Sequence, residues 1–140
     1  MAYCKTIYKE IKTESYLYNS LAYVTNPQKV SQVSFVNENI IVPDVDILDI
    51  ENTYRRTRNL ERKNYDILAH HFIQSFADYD NVTPELAHQI GLEFIKNNLS
   101  KYQVTLATHI DGGHIHNHFI INSVSPVDGL KFKGNQNTIN

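Results

Sequence analysis

Apolar positions recur along this chain with two distinct periods. Leu17, Leu21 and Val24 fall at helical spacing and predict a helix over residues 14–24, ended by Asn26-Pro27. Residues 3–8 read as a short strand. The β-branched runs 30–36 and 40–42 read as strand or extended segments, the second broken by Pro43. Residues 44–62 carry Val45 and Leu48 among mixed charges and predict a helix, whereas the mostly apolar run DILAHHFIQSF, residues 66–76, predicts a buried strand. Thr83 is suited to cap a helix whose first position is Pro84, and Leu86, Ile90 and Phe94 then line one face through about residue 98.

Residues 102–109 and 114–122 change to period 2 on either side of Asp111-Gly112-Gly113, the pattern of a hairpin whose turn glycines tolerate positive φ. That turn pairs Asp111 with His114, His109 with His116, Ala107 with His118, Thr105 with Ile120 and Gln103 with Asn122. The apolar faces then match as well, Leu106 opposite Phe119 and Val104 opposite Ile121, and a slip of one residue would break both faces. One face of the hairpin therefore carries histidines, with Ile120 as its apolar exception. Opposed Cβ atoms in such a pair lie about 5 Å apart and diagonal ones about 7 Å, so three imidazoles of one face can converge on a single cation. His109 and His116 are central, and spacing alone leaves His114 or His118 as the third ligand. The element order implies an α+β domain with a mainly antiparallel sheet, helices on one face and the histidine face open.

Composition narrows the setting. A chain of 140 residues suits one domain, and no apolar run approaches the ~18 residues that a membrane span needs. The opening MAYCKTIYKE lacks the apolar stretch of a signal peptide. A single cysteine, Cys4, forms no internal disulfide and no cysteine cluster is available for zinc, a pattern that fits a reducing cytoplasm. The net charge of −2 argues against a broadly basic nucleic-acid binder. Yet all four arginines, Arg55, Arg56, Arg58 and Arg62, fall within eight residues beside Lys63, so a local basic patch is expected, with Lys29, Lys131 and Lys133 able to add phosphate contacts. The seven histidines include four, His109, His114, His116 and His118, within ten residues. The tail from Gly129 is polar and Gly/Asn-rich and does not end on a packed element, so residues 1–140 are expected to form one domain cut short at its C-terminal end.

The segment HIDGGHIHNHFIIN, residues 109–122, resembles the third motif of relaxases of the plasmid-mobilization nuclease family, a branch of the HUH endonucleases with a ferredoxin-like or RRM-like sheet. LAYVTNPQKV (21–30), AHHFIQSF (69–76), TPELAHQIGLEFIKN (83–97) and the stretch through NSVSPVDGLKF (122–132) are similar to the family in the same order. The resemblance implies a metal-dependent enzyme that nicks one strand of single-stranded or nicked DNA at an origin of transfer through a 5′-phosphotyrosyl intermediate. Accessory relaxosome proteins and a coupling protein are implied as partners, and a membrane is not.

The resemblance also assigns residues. It favours His109, His116 and His118 as metal ligands, with His114 as the alternative. It matches Asp111 to an acid that orients an imidazole or caps the turn, Ser75 to a motif that contacts DNA near the nick, and Asn122 to the end of the third motif. None of the nine tyrosines follows the histidines, so the nucleophile must come from upstream. The family's tyrosine lies in a segment matching LAYVTNP, which selects Tyr23 over Tyr16 and Tyr18. Imidazoles as a class suit Zn, Mn, Ni or Cu better than Mg, whereas the resemblance implies Mg²⁺ or Mn²⁺, so one divalent ion is expected. His70 and His71, adjacent on a strand, point to opposite faces and are read as core or surface residues. The competing reading is a catalytically incomplete fragment that binds metal and single-stranded DNA.

Overall fold

The computed structural model describes residues 4–37, 67–77, 81–110 and 114–125, together with Val127 and Phe132. Its elements run β1 (Cys4–Ile11), α1 (Glu14–Val24), β2 (Val30–Val36), β3 (Ala69–Phe76), α2 (Pro84–Asn98), β4 (Val104–His109) and β5 (His116–Asn122). The helix and second extended run expected within 40–62 lie outside the described residues.

Both helices start where the sequence supplies a cap. Thr13 Oγ1 accepts from the Tyr16 amide and Thr83 Oγ1 from the Leu86 amide, each at 3.1 Å, satisfying donors that a helix start leaves without an intrahelical partner. α1 ends as Thr25 N–H donates to Leu21 O and Asn26 N–H to Tyr23 O, just before Pro27. In α2, Pro84 takes the first turn, where its missing N–H costs nothing.

The strands form one five-stranded sheet in the order β1-β3-β5-β4-β2, every pair antiparallel. The β4–β5 register is the one that the Gly-Gly turn requires, with His109 opposite His116, Ala107 opposite His118 and Leu106 opposite Phe119.

The α+β class and the antiparallel sheet agree with expectation, but the helices do not share a face. Leu17, Leu21 and Val24 of α1 pack on Ile11, Ala69, Ala107 and Ile120, which belong to the histidine-bearing face. On the other face Ile95 of α2 and Leu99 beyond it are buried with Phe72, Val104, Leu106, Phe119 and Ile121. The physical reason is that the histidine face is only half polar. Toward Asn122 it becomes apolar through Ala69, Ala107 and Ile120, and a fully buried leucine there stabilises by about 1.5–3 kcal/mol, so α1 covers that half and leaves the histidine half accessible.

The face under α2 holds one polar thread. Ser34 Oγ, His88, Thr108 and Asn117 follow one another at 2.7–2.8 Å, and Asn117 Nδ2 donates on to Gln74 Oε1 and Ala87 O. Thr108 O–H donates to Asn117, so His88 must donate to Thr108 from Nδ1 and accept from Ser34 at Nε2. Burial lowers the His88 pKa, in keeping with that neutral ring. Phe132, within the segment read as a polar tail, is buried against His70, Phe72 and Tyr102. Among the described residues no helix is long and apolar enough to cross a membrane.

Candidate active site

The register gathers three imidazoles at the open end of the sheet. His109 ends β4, His116 begins β5 directly opposite, and His118 lies two residues on, on the same face. Their ring centroids are 4.1–5.1 Å apart, and one nitrogen from each falls within 4.8 Å of the others. A shift in the β2–β4 register between Val30 and Gln32 falls at the His109 end of β4.

Each ring is held by its other nitrogen. His109 Nε2–H donates to Val24 O at 2.8 Å, and His116 Nδ1–H donates to His114 O at 3.0 Å. His118 Nδ1 lies 2.9 Å from His71 Nε2. With a carbonyl accepting, the tautomers of His109 and His116 are fixed, and their lone pairs are on Nδ1 and Nε2 respectively. The remaining nitrogen of His118, Nε2, is buried with no hydrogen-bond partner. Burying a polar atom without a partner is costly, and a divalent cation among three neutral imidazoles would satisfy it. The outward hydrogen bonds are those that orient metal-binding histidines.

Electrostatics favour the neutral form that ligation needs. The His118 pKa is lowered to about 2, first by burial and then by the charges of His109, His71, His116 and Lys9. The His71 pKa is lowered to about 4 by burial, then by Lys9 and His109. Of the two candidates for third ligand, His118 joins the cluster. His114 is exposed and touches it through its backbone carbonyl.

Tyr23 reaches the same place from α1. Its ring centroid lies 5.6 Å from that of His109 and 5.8 Å from that of His118, and Lys29 Nζ sits 5.3 Å from the ring centre. The side chain is 47% exposed, so the ring lies against the histidines and still remains accessible from outside. Helical spacing explains the placement. Positions 17, 21 and 24 are held in the core, which turns positions 16, 19, 20 and 23 toward the sheet's uncovered floor.

The other expected residues are distributed less evenly. Ser75 stands opposite His116 in the β3–β5 register and is half-buried on the histidine face. Asn122 is not at the cluster. It lies at the far end of β5, fully buried, with Nδ2 donating to Gln103 Oε1 at 2.7 Å, so DNA cannot reach it in this fold. Asp111, Arg55, Arg56 and Arg58 lie outside the described residues. The residue that sequence reading missed is His71, whose strand parity with Ser75 was the available signal. His70, its neighbour, indeed faces the other way, with Nδ1 2.7 Å from Tyr8 Oη.

Comparison with known proteins shows what the chain is similar to. The chain is 33% identical to the group II intron-interrupted relaxase LtrB of Lactococcus lactis subsp. cremoris over 156 residues, which cover 91% of this chain and 26% of that protein. It is 41% identical to protein rlx of Staphylococcus aureus over 86 residues, covering 61% of this chain and 27% of that protein. The chain thus spans about a quarter of the length of the curated relatives it matches. The family model described as relaxase, MobA/VirD2-like, nuclease domain matches residues 23–140. Since that match runs from Tyr23 through the whole hairpin to the last residue, the chain belongs to the MobA/VirD2-like relaxase nuclease-domain family.

Proposed function

We propose that this domain nicks one strand of DNA at an origin of transfer and keeps the cut strand as a covalent tyrosyl adduct, for mobilization of a plasmid or conjugative element. The observation that carries the reading is the ring of Tyr23 packed against His109 and His118 of a three-imidazole cluster. In the reaction Tyr23 Oη loses its proton and attacks the scissile phosphorus. The bond from phosphorus to the 3′ oxygen breaks, and that oxygen takes up a proton to leave a free 3′-OH. The new phosphotyrosine ester conserves the energy of the broken linkage, so an incoming 3′-OH can reverse the step and rejoin the strand.

His109, His116 and His118 are the residues that would hold a divalent cation. Such an ion supplies Lewis-acid polarisation of the phosphate and offsets charge on its oxygens in the transition state. The three backbone and side-chain partners, Val24 O, His114 O and His71, keep the imidazoles oriented before the substrate arrives. Fixed geometry of this kind lowers the reorganisation needed at the moment of reaction. Lys29 Nζ, 5.3 Å from the Tyr23 ring centre, is placed to attract an approaching phosphate. Ser75, across from His116, is suited to hydrogen-bond a phosphate oxygen next to the scissile one.

The test is incubation of the chain with single-stranded origin DNA of the element that carries the gene, with Mn²⁺ or Mg²⁺, followed by denaturing electrophoresis. A protein–DNA adduct should form with either metal, disappear with a chelator, and be absent in Tyr23→Phe. An adduct that persists in the chelator would remove the metal from the mechanism.

A further inference from the structure

Beside the cluster, a groove of about 260 Å³ runs between α1 and the floor made by β1, β3 and β5. Its helix wall is formed by Tyr16, Asn19 and Ser20, and it opens at Tyr23. Its floor is formed by Lys9, His71 and Ile73, and it opens at His118. The groove exists because α1 leans on Ala107 and Ile120 through its leucine face, while the side turned toward β1 carries short polar residues that do not fill the space. Its two ends differ in chemistry. One end is the candidate catalytic cluster. The other has an exposed lysine and a tyrosine ring that is 42% exposed.

We infer that this groove is the subsite for the nucleotide next to the scissile phosphate, with Lys9 taking its phosphate and Tyr16 stacking on its base. The inference rests on the nicking function proposed above and names residues that this function does not require. Three observations converge on it. Lys9 has no carboxylate partner among the described residues, since the ion pair nearby joins Lys12 to Glu10 instead. Register sets Lys9 opposite His71, two strands from β5 and about 10 Å away by strand spacing. A strand crossing the cluster toward β1 therefore meets the lysine one nucleotide away. Tyr16 precedes Tyr23 by two helical turns on the same face, so a base entering the groove lies along its ring. Stacking on an aromatic side chain with a cation tracking the backbone is the general mode of sequence-tolerant single-strand binding.

The test measures binding of fluorescein-labelled hexathymidylate to the full chain by anisotropy in EDTA, where no cleavage occurs. Lys9→Gln should weaken binding at least fivefold and lower the salt dependence by about one released counterion. Tyr16→Ala should weaken it about tenfold, in the range expected for one stacked base, while Tyr16→Phe keeps wild-type affinity. Tyr18→Ala, equally exposed but outside the groove, should bind as wild type. If wild type binds and the Lys9 and Tyr16 variants bind equally well, the subsite is overturned and the nicking function stands. If wild type does not bind the oligonucleotide at all, the subsite is overturned, and adduct formation on origin DNA decides the nicking function separately.

Discussion

His109 Nε2 donates to the carbonyl oxygen of Val24 across 2.8 Å, joining a member of the histidine cluster to the last residue of the helix that carries Tyr23. That carbonyl is one of the acceptors that a helix end leaves without an intrahelical partner. One bond therefore closes the helix, fixes the His109 tautomer and sets the distance between phenol and imidazoles. Fold and site are coupled at this point.

The coupling separates two substitutions that a plain ligand role would not. His109→Ala should abolish tight divalent-metal binding and also cost about 1–3 kcal/mol of stability, because it strands the Val24 carbonyl in a buried position. His116→Ala, at a half-buried position, should lose the metal with less than about 0.5 kcal/mol of destabilisation. Calorimetric metal titration and urea melts of the metal-free proteins check both. Equal stability losses would remove the structural role of the His109 bond.

His71 acts through His118, as the acceptor that holds His118 Nδ1–H and leaves Nε2 for the metal. His71→Ala should weaken metal binding about 10–100-fold, the usual cost of losing such a partner. His71→Asp should recover most of that loss, since a carboxylate accepts the same hydrogen bond. His114→Ala should change affinity less than twofold, because His116 uses the His114 backbone. The opposite result, with His114 essential and His71 dispensable, would make His114 rather than His118 the third ligand.

Acid should unfold the metal-free protein early. In the unfolded chain His71 and His118 take up protons near pH 6.5, whereas in the fold their values are about 4 and about 2. Between those limits the unfolded state binds more protons, so stability rises with pH and is lost as pH falls. His88, lowered in the same direction, adds to the effect. We expect a loss on the order of 6 kcal/mol between pH 7 and pH 4, about half from each of the two rings, read from chemical denaturation in EDTA. A flat profile over that range would mean that the histidines are not held neutral.

α2 approaches the sheet closely at Gly91. A Cβ there would lie 2.9 Å from Leu106 Cδ2 and 3.1 Å from Asn117 Nδ2. Leu106 is fully buried and Asn117 is fixed by its bonds to Thr108, Gln74 and Ala87, so neither can move away freely. Gly91→Ala gains about 1 kcal/mol in helix propensity but should be a net loss of about 1–2 kcal/mol through overpacking. A thermal melt shifted upward would show that α2 has room to retreat.

Much of this arrangement was legible because strand period and turn chemistry are local. Asp111-Gly112-Gly113 set the register that puts His109 opposite His116, and Thr83-Pro84 set the start of α2. The side taken by α1 was not legible, because it depends on which half of a mixed face offers apolar surface. Ile120, the misfit on the histidine face, was the clue, and it turns out to pack against Leu17 and Leu21. Asn122 misled for the opposite reason. A polar residue at the end of a motif suggests a ligand contact, but its partner Gln103 satisfies it in the interior. His71 needed the β3–β5 pairing, which joins residues 47 apart, and strand parity with Ser75 was its one local trace.

The most direct measurement is peptide mapping by mass spectrometry of the covalent adduct formed on single-stranded origin DNA with Mn²⁺. We expect one modified peptide, the one containing Tyr23, carrying a nucleotide through its 5′ phosphate. An adduct on Tyr16, Tyr18 or any other side chain, or cleavage that proceeds with no adduct, would contradict the assignment of Tyr23 as the nucleophile.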